Sequence, residues 1–138
     1  MDKRALGEDL ITTSARLIRW APKTGFRLSL AASQILARLQ DNGPTRIGDL
    51  AAQERSSQPT ITNHVKRLEA AGLVAREADP SDARAWMIEL TDAGREELRS
   101  LRHTVGSNVE PFLADMSADD LQALRDGIDA MRRLMRSR

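Results

Sequence analysis

Apolar residues recur along this chain mostly at helical spacing. Near the N-terminus Leu6, Leu10, Thr13, Leu17 and Trp20 are separated by four, three, four and three residues, which puts them on one face of a helix. Pro22 and Gly25 break that pattern. Ser29 stands where an N-cap belongs, ahead of a second helix with Leu30, Ile35, Leu36 and Leu39 inward, and Asn42-Gly43-Pro44 ends it. A short helix over Gly48–Gln53 follows, then a polar turn at Glu54-Arg55-Ser56. Ser57 caps the next helix, which runs to Ala71. Pro59 falls in its first turn, where a missing N–H costs nothing, and Gly72 closes it as a C′ glycine.

The period then changes. Leu73–Glu77 and Ala85–Leu90 read as strands, and between them Ala78–Arg84 is rich in turn formers, so a hairpin with a long tip is expected. Thr91 caps a further helix, with Asp92 near its positive end. Leu98, Leu101, Val105, Val109 and Phe112 form its apolar stripe, and Gly106 and Pro111 should bend or interrupt it. Ser117 and Asp120 match a capping box. Behind them Leu121, Leu124, Ile128, Met131 and Met135 repeat at alternating steps of three and four, a two-heptad apolar seam. Asp119 and Asp120 open this last helix, and Arg132, Arg133, Arg136 and Arg138 close it, as the macrodipole favours.

The end helices carry more apolar surface than a small middle domain can cover. A second copy of the chain is the natural cover, with Leu6, Leu10, Leu121, Leu124, Ile128, Met131 and Met135 as candidate interface residues. The expected class is mainly α with a small β-hairpin wing: a winged helix-turn-helix flanked by N- and C-terminal dimerisation helices. The boundaries expected within a single domain of 138 residues are a lobe over about 29–91, its helix-turn-helix over about 47–71, its wing over about 73–90, and dimerisation helices over about 5–21 and 92–136.

Composition narrows the function. The chain has no cysteine, which removes disulfides, Cys-rich zinc sites and thiol redox sensing. Charges interrupt the first twenty residues, so a signal peptide or anchor is not expected there, and no apolar run approaches the roughly 18 residues of a spanning helix. A soluble, cytoplasmic protein with no membrane partner is expected. Net charge is +1, but residues 1–40 sum to +4 and residues 85–116 to −3, a slight pointer to a basic face. Two tryptophans, two phenylalanines and no tyrosine are too few for a single-strand stacking platform. His64 and His103 lie in no ligand motif, and no glycine loop cradles a phosphate. No catalytic residue, metal site or cofactor is therefore assigned.

The helix from Ser57 to Ala71 carries the candidate chemistry. Ile61, Val65 and Leu68 share the core face. The opposite face presents Pro59, Thr60, Asn63, Lys66, Arg67 and Ala70, with no carboxylate, and Glu69 lies toward the flank. Amide, guanidinium, ammonium and hydroxyl groups suit base edges and phosphates in a major groove. Ser57 and Gln58 belong to the same N-terminal end. At the hairpin, Asp82 and Arg84 are two residues apart, so the carboxylate can orient the guanidinium on one strand face. A protruding arginine suits a narrow, electronegative minor groove.

The stretch from Leu50 to Thr91 resembles the MarR family of bacterial transcription regulators. The family's wing pattern is D-x-R-x-x-x-x-x-L-T, and Asp82, Arg84, Leu90 and Thr91 match each specified position. Ser57–Thr62 and Val65–Val74 look like the family's recognition helix and its exit into a strand. Family members often carry Arg where Asn63 stands, an apolar residue where His64 stands, and another at Ser56. His64 flanks the core face and reads as partly buried.

The resemblance implies a homodimer that binds a palindromic double-stranded DNA operator. It further implies a repressor released by a small aromatic or anionic effector. Arg16, Trp20 and Phe26 are candidate lining for such a pocket, although Trp20 also simply completes the first helix's stripe. A metal sensor using His103 and a winged helix that binds protein remain as alternatives. A mobility shift on duplex DNA separates the latter from a DNA reader.

Overall fold

The computed structural model describes residues 1–137; Arg138, assigned above to the basic end of the last helix, lies outside the described residues. The elements are α1 (Lys3–Trp20), α2 (Leu30–Asn42), β1 (Thr45–Arg46), α3 (Ile47–Gln53), α4 (Gln58–Ala70), β2 (Val74–Asp79), β3 (Asp82–Leu90), α5 (Asp92–Leu113) and α6 (Ala118–Arg136). They fall into two compact units. One is Gly25–Thr104, and the other combines Met1–Thr24 with the chain from Val105 onward.

Local chemistry sets most helix ends. The Ser29, Ser57 and Ser117 hydroxyls each accept from the backbone N–H three residues on, the N-cap bond that satisfies an orphan donor. Asp2 does the same for α1, accepting from the amides of Arg4 and Ala5. Gly43 and Gly72 have φ of +74° and +76°, the left-handed exit that glycine supplies without a Cβ penalty. Lys23 reaches back to the exposed end of α1, donating from Nζ to the carbonyls of Ile18 and Ala21 at 2.7 and 2.8 Å. At α6 the described hydrogen bonds contain Ser117's half of the capping box, to the Asp120 amide at 3.1 Å.

The core of the Gly25–Thr104 unit is one cluster. Ile35, Leu36 and Leu39 of α2, Leu50 of α3, Ile61, Val65 and Leu68 of α4, Val74 of β2, Ile88 of β3 and Leu98 of α5 are all buried. Each such aliphatic side chain contributes roughly 1.5–3 kcal/mol. The periodicity of α4 and most of that of α2 point inward the residues the pattern assigns there. Leu30, expected inward, is exposed: at about 100° per residue it falls on the side of α2 opposite Leu39.

Three features of the elements also differ from those the sequence predicts. A two-residue strand, β1, adds to the hairpin, giving an antiparallel sheet in the order β1-β3-β2. The hairpin tip is short: β2 runs to Asp79 and β3 begins at Asp82, leaving only Pro80 and Ser81 between them, with an irregularity at Ala78/Asp79. Helix α5 runs unbroken from Asp92 to Leu113 through Gly106 and Pro111. Pro111 lies in its last turn, where the lost N–H removes a single late ladder bond.

In the second unit α1 and α6 have no buried residue. Trp20 meets Phe112 edge-on with ring centroids 4.9 Å apart. The Asn108 amide donates to the carbonyls of Pro22 at 3.1 Å and Thr24 at 3.0 Å, fixing the chain after α1 onto α5. No helix among the described residues is long and apolar enough to cross a membrane.

Candidate nucleic-acid interface

Helix α4 is held from below and open above. Its buried face sits on the core, and Ser57, Gln58, Pro59, Thr60, Asn63, Lys66 and Arg67 are all exposed. Ser57 and Thr60 share a hydroxyl hydrogen bond of 2.8 Å besides the cap, which ties both side chains to the helix start. Among the described residues Lys66 and Arg67 have no ion-pair partner. The flanking carboxylate, Glu69, is engaged by Arg76 of β2 at 3.2 Å. The outward face of α4 is therefore cationic and polar, with its nearest acid already neutralised. His64 is partly buried, as its place beside the core face requires.

The turn before α4 is built from parts the sequence hides. Arg55 adopts φ of +51°, a left-handed conformation costly for a residue with a Cβ. Arg38 of α2 holds the segment from behind: it pairs with Glu54 and donates from Nη2 to the Gln53 carbonyl at 3.0 Å. That bond satisfies an orphan carbonyl at the end of α3.

At the hairpin, Arg84 projects into solvent with its side chain 93% exposed. The Asp82 carboxylate accepts from the Arg84 backbone N–H at 3.0 Å, while its approach to the guanidinium is a marginal 3.5 Å. Asp82 thus fixes the strand backbone more firmly than the arginine head. Residues that composition places among turn formers do more. Asp79, only 7% exposed, accepts from the Ser81 amide at 2.9 Å and the Ser81 hydroxyl at 2.8 Å, and pairs with Arg46 of β1. The Ser81 bonds, then the Arg46 guanidinium, hold the Asp79 carboxyl below its ordinary value against an opposing cost of burial. The Asp-Pro-Ser spacing signals a turn, but nothing in sequence links it to Arg46.

The candidate effector residues divide between the two units, Phe26 in one and Arg16 and Trp20 in the other. Phe26 lines a shallow cavity of about 80 Å³ with Arg27, Leu28, Glu97, Leu101 and Thr104. In the other unit Trp20 meets Phe112, and Arg16 is exposed on α1. Of the candidate interface residues, Leu10 is half-buried and Leu6 exposed. Leu121, Leu124, Ile128, Met131 and Met135 keep 39 to 69% of their surface open. Among the described residues no three His, Cys, Asp or Glu side chains gather as a metal site would need.

Comparison with known proteins points one way. A family model described as the MarR family matches residues 28–86. The HTH-type transcriptional regulator YdgJ of Bacillus subtilis is 30% identical over 105 residues. That alignment covers 76% of this chain and 64% of the relative, so it spans less than two thirds of that protein. A second B. subtilis HTH-type regulator, YcgE, is 28% identical over 137 residues, covering 90% of this chain and 87% of its own. The crystal structure of a transcriptional regulator from Thermotoga maritima superposes with a TM-score of 0.68 at 25% identity, covering 98% of this chain and 94% of that one. A MarR family protein from Bacillus stearothermophilus shares the fold, with a TM-score of 0.70 at 21% identity over 98% of each chain.

Proposed function

We propose that the chain is a helix-turn-helix transcriptional regulator of the MarR family, whose model matches residues 28–86, and that it represses transcription as a cytoplasmic homodimer bound to a palindromic operator in duplex DNA. Its work on this reading is recognition, not catalysis. The observation that carries the proposal is the outward face of α4, where Asn63, Lys66 and Arg67 stand exposed and the adjacent acid, Glu69, is consumed by Arg76. A polar face free of carboxylate desolvates onto a phosphate backbone without like-charge repulsion, and its amide can read a base edge.

On this reading α4 enters the major groove. Its N-terminal residues Ser57, Gln58, Pro59 and Thr60 point at the duplex. Arg84 reaches the neighbouring minor groove from the hairpin, where a narrow groove concentrates negative potential. The exposed seam of α6 and the apolar stripe of α1 pair with their copies in the partner. A small aromatic or anionic effector belongs to the same proposal, and Phe26 and its cavity are its best-placed element. Arg16 and Trp20, of the other unit, belong to the same proposal.

The test is selection of duplexes from random-sequence DNA by the purified chain, followed by titration of the selected and a scrambled duplex. Palindromic enrichment and a preference of at least a hundredfold are expected. Arg84→Ala should weaken binding to the selected duplex by about 1–3 kcal/mol while leaving the unfolding midpoint in place. Equal affinity for both duplexes in the parent protein would refute sequence-specific regulation.

A further inference from the structure

We propose that Arg46 and Asp79 form a clamp that ties the wing tip to the strand opening the helix-turn-helix, making Arg46 a positioning residue for Arg84. The inference rests on the DNA-binding reading above and adds a residue outside the groove-reading set. Its starting point is the chemistry of the tip. Two-residue hairpins favour turns in which the first central residue has positive φ, because only those match the twist of the flanking strands. Pro80 is that residue here, and its ring fixes φ negative. Among the described residues the only non-glycine with positive φ is Arg55, so Ser81 is negative as well. The tip therefore uses a turn that, left alone, splays its strands.

Side chains supply what the turn lacks. Asp79 at the first position accepts from the Ser81 amide two residues on, an Asx turn, and from the Ser81 hydroxyl. Arg46 Nη2 bridges the other carboxylate oxygen of Asp79 and the Ser81 hydroxyl, the latter at 3.2 Å. Arg46 lies in β1, pairs with Met87 of β3, and immediately precedes α3. One guanidinium thus joins the first helix of the helix-turn-helix to the tip of the hairpin. Asp79 in turn faces Asp82 across the ladder, and Asp82 holds the backbone N–H of Arg84. The chain of contacts runs from Arg46 through Asp79 to the strand carrying Arg84. A tip released from Arg46 keeps its Asx turn but loses its fixed angle to α3, and with it the reach of Arg84 relative to α4.

The experiment compares Arg46→Ala, Arg46→Lys, Arg84→Ala and the double variant Arg46→Ala/Arg84→Ala in the full chain. Each is titrated on the selected duplex at several salt concentrations. Arg46 is nearly half exposed, so its variants should fold; Asp79→Asn serves as a second break in the clamp, and thermal unfolding is followed for each. Arg46→Ala should lower affinity about three- to tenfold with the salt slope unchanged. Arg46→Lys should restore most of that loss, and the double variant should bind no more weakly than Arg84→Ala alone. Additive losses, or a slope reduced by about one per subunit, would show Arg46 touching phosphate itself and overturn the clamp. Unchanged affinity in Arg46→Ala would overturn it too. A parent protein that binds no duplex would instead sink the DNA-binding reading, and the clamp's role with it.

Discussion

Among the glycines, Gly94, in the first turn of α5, has the tightest surroundings. A Cβ there would stand 2.2 Å from the Leu73 carbonyl oxygen and 2.7 Å from Leu90 Cδ1. Thr91 draws the segments together: its hydroxyl donates to the Gly72 carbonyl at 2.6 Å and accepts from the Gly94 amide at 3.0 Å, and its own amide donates to Leu73. The exit of α4 and the start of α5 are thus stitched, and only glycine fits the seam. Gly94→Ala should destabilise the protein by on the order of 2–3 kcal/mol, because backbone has to move. Urea unfolding should show a lower midpoint, and an unchanged one would refute the close approach. Asp79 gives a second test. Its carboxyl sits below the usual range, so its stabilising bonds are fully present above about pH 4 and are lost as pH falls through the lowered value. The stability gap between the parent and Asp79→Asn should hold from pH 7 to about pH 5 and shrink below about pH 4. A gap that widened in acid would contradict the sign.

On the DNA-binding function proposed above, helix α4 divides between two kinds of contact, assigned by position along the helix. Asn63 lies nearer the N-terminal half, which enters a groove most deeply in helix-turn-helix docking, and its amide can match adenine's donor and acceptor together. Arg67 follows one turn later and is exposed without an ion-pair partner among the described residues. Asn63→Ala should flatten preference at one position in each half-site with the salt slope nearly unchanged. Arg67→Ala should weaken binding to selected and scrambled duplexes alike and reduce the slope by about one for each phosphate no longer neutralised. Titrations on both duplexes across salt decide between them. The element also shows what a sequence reveals. The core face of α4, its serine cap and its glycine exit follow from periodicity and local hydrogen bonding, which operate within a few residues. The hairpin tip does not. Asp-Pro-Ser-Asp reads as loop by composition, while the tight turn is held by an arginine from another strand. A two-residue strand such as β1 carries no period to detect. The surroundings of Trp20 are the least legible, since a helical stripe does not name Phe112 as the ring it meets.

At the scale of the molecule, the deciding feature is apolar surface left open in the unit that holds α1 and α6. Leu121, Leu124, Ile128 and Met131 follow one face of α6, each at least 39% exposed, and no residue of that helix is buried. Soluble monomers rarely leave such a contiguous stripe in water, and a two-fold pairing of identical faces is the commonest way to close it. Two copies would present two α4 helices, and such a pair reads half-sites about one helical turn apart. Dimerisation and operator affinity should therefore fail together. Replacing Leu124 and Ile128 with Asp puts two charges into the seam, where each lacks a partner. The Gly25–Thr104 core lies in the other unit and should keep its structure, so the variant should sediment as a folded monomer. Each lobe can still meet one half-site, but the second binding event no longer benefits from tethering, so affinity for the full palindrome should fall at least a hundredfold, toward that for a single half-site. Sedimentation at micromolar concentration, paired with titration of full and half operators, reads both effects. A parent chain that sediments as a well-folded monomer and still prefers the full palindrome would show that α6 is covered in some other way.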